Sequence, residues 1–240
     1  MPWRPDLLAL VELAAPSSCA GCGAAGTRWC PDCAVVLSAS APRPWRPTPC
    51  PRGFPPTWTG LAYAGQVRAA VVAWKEQDRV ELNPVLATVL RGVLAEALAG
   101  SPPHTAAVLQ HTPVALVPAP SAPSSIRTRG RRPVPELAAA AGRADLLVDA
   151  LRLTRRVQDQ AGLSAQQRAA NLQRAVTVRP RVRAALREVP CVVVDDVVTT
   201  GATLAECTRA LLAAGAGPVV AVTVAATARR PAQARPQRAD

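Results

Sequence analysis

The run Cys191-Val-Val-Val-Asp-Asp-Val-Val-Thr-Thr-Gly-Ala-Thr-Leu204 limits what this chain can fold into more than any other stretch. Residues 191 to 194, apolar and β-branched, predict a parallel strand covered on both faces, and Ala202 to Ala214 predicts the helix that follows. The turn between them then lies at a helix N-terminus, where unpaired N–H groups and the helix dipole favour a phosphate. The N–H groups of Thr199, Thr200, Gly201 and Ala202 are expected to share one concavity, and the hydroxyls of Thr199, Thr200 and Thr203 add donors. Asp195 and Asp196 would repel a second phosphate, so their natural partners are neutral hydroxyls such as a ribose 2′,3′-diol. A ribose 5-phosphate site is the expectation. A plain helix N-cap accounts for one acid and one Thr, but not for the whole order.

The length of 240 residues suits one ordinary domain with a small appendage. Apolar residues make up 49% but aromatics only 3%, so the core must be built from Ala, Val and Leu. The net charge is +12, and the segment from Arg127 to Arg187, with 14 Arg against 4 acids, carries +10 of it. A basic middle suggests anionic partners, with a solvated basic face as the plainer account. Stacking platforms for single-stranded nucleic acid are scarce there, because Phe54, Tyr63 and the five Trp all lie in the first 74 residues. No run of 18 apolar residues is apparent, so no membrane insertion is expected. The apolar stretch 7 to 15 follows Asp6 and is interrupted by Glu12, which reads as an amphipathic opening helix rather than a signal peptide. A cytoplasmic location follows as an expectation.

Residues 1–60 read as a segment apart: the opening helix, a cysteine knuckle and an extended tether marked by prolines 42, 44, 47, 49, 51, 55 and 56. A folded α/β domain is expected over 61–228, and a disordered tail over 229–240. Within the domain, strands are predicted at 61–64, 114–117, 151–154, 189–194 and 219–225. Helices are predicted at 67–76, 84–99, 136–141 and 165–172. Strands alternating with helices predict a mainly parallel sheet. His104 and His111 read as solvated loop residues.

Cys19-Ala-Gly-Cys22 and Cys30-Pro-Asp-Cys33 supply four thiolates with the spacing within each pair that a tetrahedral structural zinc takes. The gap between the pairs is shorter than usual, which leaves room for a knuckle closed on itself or a site shared with Cys50. A redox dithiol pair is the other chemistry such spacing permits.

The stretch 191–204 resembles the phosphoribosyl pyrophosphate (PRPP) loop of type I phosphoribosyltransferases: a hydrophobic strand, two acids, two variable positions, Thr-Gly and a further Thr. That resemblance implies a ribose held by Asp195 and Asp196 and a 5-phosphate held by Thr199, Thr200, Gly201, Ala202 and Thr203. With the cysteine knuckle in front, the whole layout resembles the ComF family, which is associated with competence for DNA uptake in bacteria. Val117-Pro-Ala-Pro120, Arg127-Thr-Arg-Gly130 and Gln160-Ala-Gly-Leu-Ser164 resemble further segments of that family, and Lys75 stands where its members carry a Lys. The chain departs from the pattern at Arg131, Arg132 and Pro133, at Ser124 and Ser125, and at Cys50-Pro-Arg-Gly53, where a third Cys pair is reduced to one Cys.

The resemblance implies a type I phosphoribosyltransferase fold with a small zinc-binding module, structural Zn2+, and Mg2+ arriving with PRPP. It implies displacement of pyrophosphate from C1 of PRPP, with Arg127 or Arg129 at the pyrophosphate and residues 159–174 as a flap. The acceptor is unspecified. The other reading is a non-catalytic, nucleotide-responsive accessory factor whose Arg-rich middle contacts single-stranded DNA or a DNA-uptake protein.

Overall fold

Short β-branched runs become the strands of one twisted sheet, and Ala- and Leu-rich stretches become the helices that cover it. The computed structural model describes residues 17–142, 146–154 and 174–228. In chain order the elements are α1 (Pro31–Ser38), β1 (Arg43–Pro44), β2 (Thr57–Ala62), α2 (Gly65–Glu76), α3 (Asn83–Ala99), α4 (Pro102–Leu109), β3 (Ala115–Pro118), α5 (Pro123–Arg129), α6 (Pro133–Ala141), β4 (Leu151–Leu153), β5 (Val176–Val178), α7 (Pro180–Arg183), β6 (Cys191–Val198), α8 (Ala202–Ala213) and β7 (Val219–Ala226). The main sheet has the order β1-β2-β7-β6-β3. The pairs β2–β7, β7–β6 and β6–β3 are parallel, and β1 is an antiparallel edge. The mainly parallel α/β architecture expected from the sequence is the one observed.

Successive side chains of a strand point to opposite faces, and β6 divides the core accordingly. Val192 and Val194 join α2, α3 and α6 on one side, while Cys191 and Val193 join α8 on the other. The central helix is α3, whose buried Leu86, Val89, Leu90, Val93 and Ala97 recur at helical spacing. It packs very close to β2: a Cβ added at Gly60 would stand 2.7 Å from a Val89 methyl, so glycine permits the approach. The run Val80–Ala99 is long and apolar enough to cross a membrane by length and composition, and here it supplies much of the core.

Several expectations differ in detail. β2 begins at Thr57, earlier than the predicted 61–64, and the stretch at 151–154 pairs antiparallel with β5 in a separate two-stranded sheet. Five helices, α1, α4, α5, α6 and α7, open on a proline. Proline suits that position because the first N–H groups of a helix have no internal partner. Local reading missed α1, α4 and α5 for that reason. The proline-rich stretch read as a tether lies against the sheet instead: β1 pairs with β2, and Trp45 is 7% exposed in the α8-side core, edge-on to Phe54 at 6.2 Å. His104 is also corrected. It is buried in α4, with Nδ1 2.8 Å from Ser101 Oγ and Nε2 3.2 Å from the Cys191 carbonyl. Both ring nitrogens have partners, which is what lets an imidazole sit in an apolar core. The predicted opening helix, the helix at 165–172, most of the flap and the tail lie outside the described residues.

Candidate functional site

The site is built where β3 stops and β6 continues. The last β3–β6 pair is Pro118 with Val194, and beyond it β6 runs to Val198 paired, among the described residues, with β7. Asp195 and Asp196 are therefore one and two residues past the point where β3 leaves, in the crevice at the carboxyl ends of parallel strands. The chain after β3 stays close, since the Ala119 N–H donates to the Val194 carbonyl at 2.8 Å. Both acids lie within the strand, which is longer than the predicted 189–194.

Pleating starts the two side chains on opposite faces of β6, yet their carboxyl groups stay within hydrogen-bonding reach of each other. Asp196 turns towards α2, where its Oδ2 is 2.6 Å from Lys75 Nζ and its side chain is 5% exposed. Burial alone would raise the Asp196 carboxyl; the Lys75 charge and a hydrogen bond to Asp195 outweigh it and bring the pKa below the usual value. Asp195 turns towards α8 and is partly exposed. Burial, then the neighbouring Asp196 charge, pushes its pKa well above the usual carboxylate value. The Asp196 N–H donates to Asp195 Oδ1 at 2.9 Å. For Lys75, burial opposes the ammonium, but Asp196 and Asp195 together hold its pKa above the ordinary lysine value.

The turn at 199–201 leads straight into α8. Gly201 is the residue before the helix and has φ +76°, a left-handed conformation. A Cβ there would stand 2.5 Å from Phe54 and 3.1 Å from Pro47, so the proline-rich stretch presses on this turn. The Ala202 N–H reaches Thr200 Oγ1 at 3.4 Å. Thr199, Thr200 and Thr203 are partly exposed, and Ala202 is buried.

The arginines fall differently from expectation. Arg129 donates from Nε and Nη2 to Glu76 at 2.9 and 2.7 Å. Arg131 lies over the Trp74 ring, 5.8 Å from its centroid, and bonds Glu136, Asp78 and the Trp74 carbonyl. Arg132 forms a two-pronged pair with Asp149 at 3.0 and 2.7 Å. Arg127 is exposed on α5. Three of the arginines behind the basic-middle argument are thus held in internal contacts.

Cys19, Cys22, Cys30 and Cys33 have sulfurs that all lie within 4.8 Å of one another. Cys22 and Cys30 sulfurs are 3.6 Å apart, close to the roughly 3.8 Å that a tetrahedron with Zn–S bonds near 2.3 Å requires. Backbone N–H groups of Gly21 and Cys30 point at Cys19 Sγ, both at 3.4 Å. Burial would raise that thiol, but these donors, with Cys22's, bring it down to about 6. Four soft donors in such an arrangement can hold a structural metal such as zinc. Cys50 is outside the group, and its thiol reaches the Pro51 carbonyl. The module is fastened to the domain by Arg79, which donates to the carbonyls of Ser18 and Arg28 at 3.0 and 2.8 Å.

Just under half of the chain, residues 125–240, matches the family described as phosphoribosyl transferase domain. This part of the chain is phosphoribosyltransferase-like. A search of curated proteins found no match. The matched segment holds β6, the turn and α8, and so all of the acid and hydroxyl residues singled out from the sequence. It leaves out Lys75, Glu76, Pro47 and Phe54, which the fold brings to the same place. No local pattern announces those four as partners, because each contact is between segments far apart in the chain.

Proposed function

We propose that the chain binds PRPP or another ribose 5-phosphate compound at the end of β6, and that it is of the ComF type linked to bacterial DNA uptake. In this reading Asp195 and Asp196 hold the ribose hydroxyls. Thr199, Thr200, Gly201, Ala202 and Thr203 hold the 5-phosphate, and Arg127 and Arg129 approach the pyrophosphate. The supporting observation is the placement of two carboxylates beyond the last β3–β6 pair, with a left-handed glycine turn leading directly into α8. The resemblance to a phosphoribosyl transferase domain supports a ribose phosphate ligand. The cysteine group in front of the domain supports the ComF-type layout.

The chemistry this arrangement suits is displacement at C1 of PRPP. The bond from C1 to the pyrophosphate oxygen breaks, the electron pair leaves with pyrophosphate, and an acceptor atom forms the new bond to C1. The protein's part is to fix the sugar and stabilise charge. The hard oxygen donors of Asp195 and Asp196 are of the type Mg2+ takes, and Mg2+ entering with PRPP would neutralise the leaving pyrophosphate. Zn2+ has no part in this step; at the four cysteines it would hold the amino-terminal module together.

Pyrophosphate release from PRPP, screened across nucleobases and small amines, tests turnover. Release with one acceptor supports the transferase. Binding of PRPP without release under any acceptor favours the accessory factor. That second reading draws little from Arg131 and Arg132, whose guanidinium groups face internal partners, and in either reading Arg129 has to leave Glu76 to meet a phosphate.

A further inference from the structure

The carboxyl-terminal end of α2 meets the site through three consecutive residues. Trp74 carries Arg131 on its ring, Lys75 binds Asp196, and Glu76 grips Arg129. All three lie outside the segment that matches the phosphoribosyl transferase domain. Lys75 is the informative one, because it puts a positive charge against one of two adjacent carboxylates at the point where an anionic sugar would arrive. With Lys75 in place, Asp196 is paired across 2.6 Å with the end of α2, while Asp195 stays partly exposed beside it.

We propose that Lys75 is a positioning residue of the ribose phosphate site: it fixes the Asp196 carboxylate in place, beside Asp195, for the sugar diol. The inference rests on the ribose 5-phosphate reading of the site. Lys75 acts on the sugar end through Asp196, and the phosphate end belongs to the turn before α8. Its loss therefore has a signature that separates the two ends of the ligand.

The experiment is calorimetry with ribose 5-phosphate and with inorganic phosphate on the full chain, comparing wild type, Lys75→Met, Lys75→Arg, Asp196→Asn and the double variant Lys75→Met/Asp196→Asn. Lys75→Met is expected to lose at least about tenfold in ribose 5-phosphate affinity, with inorganic phosphate changed by less than about threefold. Lys75→Arg is expected to recover most of the loss. The double variant is expected to bind no worse than the weaker single variant, because both changes remove the same contact. It also removes both charges of the pair, so it keeps the test open if Lys75→Met alone does not fold. Unchanged ribose 5-phosphate binding in Lys75→Met, or in the double variant, overturns the proposal. Equal loss of both ligands makes Lys75 merely structural and overturns it too. Failure of wild type to bind ribose 5-phosphate overturns the underlying reading, and this one with it.

Discussion

Neighbouring carboxylates on one strand repel each other unless a counter-charge or a shared proton relieves them, and for Asp195 and Asp196 the Lys75 ammonium and the hydrogen bond between the two do so. His104 solves a comparable problem by pairing both ring nitrogens. Burial lowers its pKa, with only the Cys191 carbonyl opposing. The unfolded chain therefore takes up the proton first as pH falls through about 6.5, and stability contributed by neutral His104 is lost below that value. Urea unfolding at about pH 7.5 and about pH 5.5 should show this loss in wild type and a smaller one in His104→Gln; equal losses would contradict it. Gly201 is constrained twice, by a left-handed backbone and by Phe54. Gly201→Ala should cost about 1–2 kcal/mol for the backbone alone, plus the collision with Phe54. Thermal denaturation of Gly201→Ala with and without Phe54→Ala separates the two, because only the collision is relieved in the double variant.

Elements whose own sequence carries the signal were the legible ones. The apolar run at 191–194, α3 with Pro84 in its first turn and its stripe of Leu and Val, and β7 each carry a pattern that no long-range contact needs to supply. The short helices α1, α4 and α5 were not legible, because proline reads as a breaker unless one knows that it stands at the first turn. Nor was the burial of Trp45, since the spacing of prolines excludes helix but is silent on which surface an extended chain will cover. The arginines between 127 and 132 teach the same lesson: charge is visible in a sequence and its partner is not. Arg132 holds Asp149, whose pKa is lowered first by that hydrogen bond. A depressed carboxylate stabilises the fold above its unfolded pKa and loses that contribution as pH falls towards its folded one. Arg132→Ala should therefore lower stability at neutral pH and reduce the acid sensitivity below about pH 4, as read by denaturant unfolding across pH. A change in single-strand DNA affinity with stability untouched would instead return Arg132 to the surface reading.

At the scale of the whole molecule, the proline-rich stretch and the end of α2 converge on one turn and one acid pair, and the cysteine module is tied to the chain just past α2. Arg79 makes that tie, the proline-rich stretch reaches Gly201 through Phe54 and Pro47, and β6 supplies the acids. The metal prediction belongs at this scale. Elemental analysis should give about one zinc per chain, lost in Cys30→Ser and kept in Cys50→Ser; the reverse pattern would show that the ligands are misassigned. The most direct test of the central claim is calorimetric titration of the wild-type chain with PRPP and with ribose 5-phosphate, with and without Mg2+, repeated on Asp195→Asn/Asp196→Asn. The account predicts saturable binding by wild type, and at least about a tenfold loss, or about 1.4 kcal/mol, in a double variant that remains folded. No binding of either compound by wild type under any of these conditions would contradict it.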